Sequence, residues 1–124
     1  MTAHIPFKYD FVGSFLRPEA VQNAKSLLKK GLISKEELTK VENIEIEKLI
    51  AKQKAAGYHV ITDGEYRRAY WHLDFFWGLN GIEQTVLSHG YFFHNEETAK
   101  GSIKLIGKIT GENHPFVEHF KSVC

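Results

Sequence analysis

The sequence predicts an α/β fold in which two parallel strands flank a long helical excursion. Two compact runs, residues 9–15 and 58–62, are rich in aromatic and β-branched side chains and end at glycine or Asp-Gly. Between them, apolar residues recur at spacings of three and four. Strand, helical excursion, strand is the pattern of a βαβ unit. In such a unit the loop after each strand lies at the carboxyl end of the sheet, where ligand sites gather.

Each element has a local cause. The first run, Tyr9-Asp10-Phe11-Val12-Gly13-Ser14-Phe15, reads as a buried strand that ends at a glycine, with Pro18 at the first position of the following helix. Residues 19–30 carry Ala20, Val21, Ala24, Leu27 and Leu28 on one stripe and close on lysines and Gly31, which predicts an amphipathic helix. Ser34-Lys35-Glu36-Glu37 is a capping box that starts a second helix. That helix runs through Leu38, Val41, Ile44, Leu49 and Ile50 to Ala56, and Gly57 ends it. Glu36 and Lys40 add a surface pair. Tyr58-His59-Val60-Ile61-Thr62 is then the second buried strand.

Beyond Arg68 the periodicity gives way to an aromatic stretch. Residues 84–93 and 102–110 read as two strands joined by a polar turn, so that 84–110 forms a β-hairpin insertion. Asn113 and Pro115 predict a last short helix through Phe116, Val117 and Phe120, with Asn113 or His114 near its cap. Repeats, low-complexity tracts and linkers are absent, which predicts one domain over residues 1–124.

Composition limits the function. Of 124 residues 43% are hydrophobic and 25% charged, a globular profile. Sixteen Lys and Arg against fifteen Asp and Glu leave a net charge of +1, which argues against a nucleic-acid partner. A membrane span needs about 18 apolar residues in a row, and no such run occurs; the first residues also lack the pattern of a signal peptide. A cytoplasmic location is expected, and the single cysteine, Cys124, fits a reducing compartment.

The densest chemistry is Asp63-Gly64-Glu65-Tyr66-Arg67-Arg68, two carboxylates and two guanidiniums directly after a strand. A glycine there permits a tight turn from which Glu65 can project, to hold a substrate ammonium or move a proton. The competing reading is an ion pair between Glu65 and Arg67 or Arg68. Val12-Gly13-Ser14 is the second candidate, because bare amides beside a hydroxyl can bind a carboxylate, although a plain strand-to-turn transition accounts for it too.

Phe11-Val12-Gly13-Ser14-Phe15, Gly31-Leu32-Ile33-Ser34-Lys35-Glu36-Glu37, and Ile61-Thr62-Asp63-Gly64-Glu65-Tyr66-Arg67-Arg68 followed by Trp71-His72 and Asp74-Phe75-Phe76 occur in one order along most of the chain. Together they resemble the cobalamin-independent methionine synthase family of methionine biosynthesis, and more narrowly its shorter bacterial relatives. The resemblance implies a (β/α)8 TIM barrel. It also implies transfer of a methyl group from a methylated folate to the thiol of homocysteine or a similar thiol, with zinc holding the thiolate. It assigns Val12, Gly13 and Ser14 to the amino-acid substrate and Glu65 to its amino group.

The family's zinc ligands come from late strands with no counterpart in this sequence, so no metal site is expected in the chain. Asp63 stands where full-length methionine synthases carry histidine, and residues 84–111 show no folate-contact pattern. Arg67 and Arg68 are candidates for an acidic substrate group, or for anchoring the loop by a carboxylate pair with Asp63 as a partner. Trp71, His72, Phe75, Phe76 and Trp77 could stack on a pterin or simply pack. His72 is a candidate acid or base; His89, His94, His114 and His119 read as scattered surface histidines.

A closed barrel of this kind takes about 250 residues, so the chain is expected to supply its N-terminal portion only, to be inactive alone and to associate through an unclosed edge. The alternative is a binding or interaction module that retains the scaffold without catalysis.

Overall fold

The computed structural model describes residues 11–124, which divide into two compact units, one reaching Arg67 and the other running from Arg68 to Ser122. The fold is mixed α/β with small open sheets.

The first unit is two helices with irregular segments before α1 and after α2. α1 spans Glu19–Lys29, with Pro18 just before it as the N-cap rather than inside its first turn. α2 spans Lys35–Ala55 and begins at the predicted capping box: Glu37 N–H donates to Ser34 Oγ at 3.1 Å, and Ser34 N–H donates to Glu37 Oε2 at 2.7 Å. It ends in a Schellman motif. Gly57 takes φ +84°, while Tyr58 N–H reaches Gln53 O and Gly57 N–H reaches Lys54 O.

The two helices pack through Val21, Ile46, Leu49 and Tyr66, with Phe15, Val41 and Ile50 against this cluster. The buried stripe of α2 is Glu42, Ile46, Leu49 and Gln53, spaced four, three and four residues apart. Ile44, expected on the inner face, is 53% exposed.

The two strands expected to flank these helices do not form a ladder. Tyr9 and Asp10 lie outside the described residues, and residues 11–15 and 58–62 are irregular rather than β-strand. Phe15 N–H bonds Gly64 O, just past the second run, at 3.2 Å, and the Phe11 ring packs on Tyr58. The physical reason lies at Thr62, whose backbone N–H and C=O are both taken by the Gln53 side-chain amide, a substitute for a neighbouring strand. Val60, expected to be buried, is 48% exposed.

In the second unit, α3 spans Leu73–Trp77, a short helix the aromatic stretch did not announce. β1 (Asn80–Val86) pairs antiparallel with β4 (Gly101–Thr110), with a register shift between Asn80 and Ile82. The first of these strands therefore begins at Asn80 and stops at Val86, instead of running from 84 to 93. Between them β2 (Phe92–Phe93) and β3 (Glu96–Glu97) form a second small hairpin. His94 and Asn95 at its tip both have positive φ, +47° and +68°, the backbone of a type I′ turn made without glycine. Trp77 Nε1–H donates to Ser102 O at 3.0 Å, fixing α3 on β4.

α4 spans Pro115–Lys121 and is capped by His114 rather than Asn113. His114 is no scattered surface residue: it is 7% exposed, its Nδ1 accepts from Phe116 N–H at 3.1 Å, and its Nε2 lies 2.8 Å from Phe75 O. Those two bonds fix the tautomer with the proton on Nε2.

Candidate functional site

The loop after residue 62 is built on α2. Gln53 Nε2 donates to Thr62 O at 2.8 Å and Thr62 N–H donates to Gln53 Oε1 at 2.9 Å, which sets where the loop begins. Thr62 Oγ1 then accepts from Gly64 N–H at 3.0 Å, and Asp63 Oδ1 accepts from Glu65 N–H at 2.9 Å. Both are the short side-chain-to-backbone bonds of turn-forming Thr and Asp.

Gly64 has φ +68°, and a Cβ there would lie 2.5 Å from Leu49 Cδ2 and 3.1 Å from Tyr66 Cε1. Only glycine meets both demands. Glu65 follows in the left-handed region at φ +58°, half-buried, with its carbonyl accepting from Arg17 Nη2 at 3.1 Å.

The far end of the loop is anchored as well. Arg67 Nη1 lies 3.3 Å from Glu42 Oε2, both side chains more than nine-tenths buried, and Arg67 Nη2 donates to Asn43 Oδ1 at 2.6 Å. The carboxylate that anchors Arg67 thus comes from α2, while Asp63, the expected partner, caps the Glu65 amide. Burial holds the Glu42 carboxyl above its ordinary range even though the Arg67 guanidinium pulls it down. Burial likewise pushes the Tyr66 hydroxyl up, with Glu45 adding to the effect.

The Phe15–Gly64 bond brings the Gly13-Ser14-Phe15 segment alongside Gly64 and Glu65. Val12 is 96% exposed, Gly13 has φ +87°, and Ser14 is exposed. Phe11 holds the segment on its other side, its ring centroid 4.5 Å from Phe15 and 4.3 Å from Tyr58. The first unit thus sets an open glycine-serine turn next to a half-buried carboxylate-bearing residue.

Arg68 and His72 belong to the second unit. Arg68 donates to Trp71 O at 3.2 Å and stands 5.1 Å over the Phe116 ring, a cation–π arrangement. His72 packs on Trp71 and Tyr70, with centroids at 4.2 and 5.3 Å, and its Nδ1 is buried without a hydrogen-bond partner. It lines an open cleft of about 490 Å³ with Tyr70, Tyr91 and Phe93. Asp74 orders that segment by accepting from Ala69 N–H at 3.0 Å and Tyr70 N–H at 2.6 Å. Phe75 and Phe116 pack against His114, so this part of the aromatic group is packing.

Among the described residues no three His, Cys, Asp or Glu side chains converge in a way that could hold a metal ion, and Cys124 is exposed. No helix of the described residues is long and apolar enough to cross a membrane.

Residues 8–100 match the family model for the catalytic domain of cobalamin-independent synthases. The chain belongs to that family. A vitamin-B12-independent methionine synthase, so proposed, from Listeria monocytogenes has a crystal structure that superposes with a TM-score of 0.74 at 39% identity, over 96% of this chain and 32% of that one. Two uncharacterized Bacillus subtilis proteins are also similar: YxjH is 44% identical over 110 residues and YxjG 43% identical over 115. These alignments take in 89% and 93% of this chain but 29% and 30% of the relatives. The chain thus spans about a third of the length of the family members it matches.

Arg17, Glu42, Asn43 and Gln53 are the residues around this candidate site that sequence reading passed over. The last three had a signal: Glu42 and Gln53 fall in phase with Ile46 and Leu49, so two polar groups sit on the buried stripe of a helix, with Asn43 beside them.

Proposed function

We propose that the protein serves methyl transfer of the methionine-synthase type, with residues 11–67 forming the part that grips an amino-acid substrate such as homocysteine. The observation that supports this is the Phe15–Gly64 backbone bond, which sets the Gly13-Ser14 turn beside Glu65. An amino acid carries opposite charges at one end. Exposed amides and the Ser14 hydroxyl suit its carboxylate, while the Glu65 carboxylate suits its ammonium. The unpaired side chain of the substrate would then extend away from both, leaving its thiol for chemistry carried by other parts of a (β/α)8 barrel.

The methyl donor in this reading is a methylated folate, and zinc supplies thiolate activation when bound. The task of the chain's own described residues in this reading is binding and orientation of the amino acid. Arg67 is assigned to anchoring rather than to an anionic substrate group, because its guanidinium is committed to Glu42 and Asn43.

Calorimetry with L-homocysteine tests the assignment. The native chain is expected to bind it and Glu65→Gln to weaken binding at least tenfold, since a neutral amide loses the charge-assisted bond to the ammonium. Equal affinity of the two proteins would remove Glu65 from the site.

A further inference from the structure

We infer that Gln53 and Glu42, two buried polar residues of α2, are positioning residues that hold Glu65 in its left-handed conformation and thereby aim its side chain. The functional consequence rests on the reading of Glu65 as the ammonium partner; the structural one does not.

Residues 42, 46, 49 and 53 lie on one helical face and are all buried. The middle two are apolar and the outer two polar. Gln53 is 2% exposed and Glu42 5%, so each must find partners inside the protein or forfeit its hydration. Glu42 also feels the Lys25 ammonium of α1, but both residues make hydrogen bonds to the loop. Gln53 closes both backbone bonds of Thr62, and Glu42 takes the guanidinium of Arg67.

Two points of one short loop are therefore pinned to helix positions about 16 Å apart along the axis, from the 1.5 Å rise per residue. Between the pins, Gly64 rests on Leu49, and the Thr62 hydroxyl and Asp63 carboxylate hold the next two amides. Arg17 holds the Glu65 carbonyl. A non-glycine residue at φ +58° is strained, and it persists where its surroundings over-determine it. Here the backbone on both sides of Glu65 is tied to one rigid helix. Freeing either pin lets residue 65 relax to negative φ, which redirects its side chain.

The test uses proton NMR on the 124-residue chain together with homocysteine calorimetry. In the native protein, Glu65 is expected to show the strong intraresidue amide-to-Hα Overhauser effect of positive φ. Gln53→Ala and Glu42→Ala should reduce that signal to the level of an averaged residue and weaken homocysteine binding at least tenfold. Glu42→Gln keeps an acceptor for Arg67 and should restore the signal. Ser34→Ala weakens the far end of the same helix without touching the loop and should leave both readouts unchanged, which separates positioning from general stability.

Persistence of the Glu65 signal in both alanine variants overturns the inference, as does its loss in Ser34→Ala. If Gln53→Ala does not fold, Gln53→Glu poses the same question, since it keeps the acceptor for Thr62 N–H but faces the Thr62 carbonyl with an oxygen. A native chain that shows the signal yet binds no homocysteine would defeat the substrate reading and leave the clamp to be decided by the variants' spectra.

Discussion

The carboxamide of Gln53 forms both backbone hydrogen bonds of Thr62, at 2.8 and 2.9 Å, and so takes the place of a strand neighbour. This single pair explains why the segment before the loop is not part of a sheet, and why the loop starts where it does. It also connects helix α2 to every later feature of the candidate site.

Gly64→Ala is expected to destabilise the chain by about 2 kcal/mol or more, combining left-handed strain of roughly 1–2 kcal/mol with overpacking against Leu49. Urea unfolding of the two proteins measures it. A change under half a kcal/mol would mean that the loop can slide off the helix and that its contact with Leu49 is not tight.

Ile46 is 2% exposed at the centre of the core shared by α1 and α2. Ile46→Ala should cost about 2–5 kcal/mol through lost transfer energy and a cavity. Thermal unfolding followed by circular dichroism reads this directly, and a melting temperature close to native would show that the two helices do not form the core described.

Ser34→Ala removes one half of the reciprocal capping box and should cost about 1 kcal/mol. Hydrogen exchange is expected to quicken in the first turn of α2 and not at its Gly57 end. Uniform quickening along the helix would contradict a local cap.

Glu42 gives the stability a pH dependence of defined sign. Its carboxyl is held above the ordinary value of 4.5 because burial outweighs the attraction of Arg67, whose guanidinium is shared with Asn43. Between the unfolded and folded titrations the folded state binds the extra proton, so stability from this group is fully present below 4.5 and is lost as pH rises through the higher folded value. Urea midpoints of the native chain and Glu42→Gln, taken at a series of pH values, should show the native advantage shrinking across that window and levelling off above it. A native advantage that grows with pH would mean Arg67 outweighs burial.

Large apolar side chains face water in both units: Val12 is 96% exposed, Leu16 95%, Phe120 70% and Leu105 66%. Among the described residues β1 and β4 pair only with each other, so each has one unpaired edge in their two-stranded sheet. We expect concentration-dependent self-association, seen as a rising sedimentation coefficient. A single monomeric species across the micromolar range would count against it.

What the amino-acid sequence determined by itself is what neighbours in the chain determine. The capping box at Ser34 and Glu37 and the stop at Gly57 depend on contacts within a few residues, and both could be read in the order of letters, as could the charge density from Asp63 to Arg68, though not what holds that loop in place. The family resemblance of the Gly13-Ser14 and Gly64-Glu65 segments was legible for the same reason. Tertiary structure alone decided the partners: Arg67 with Glu42 instead of Asp63, Thr62 with Gln53 instead of a parallel strand, and His114 inside an aromatic nest as the cap of α4. Hydrogen bonds between residues far apart in the chain depend on which buried polar groups are brought face to face, and spacing along a helix shows that such a group is buried without showing what it meets.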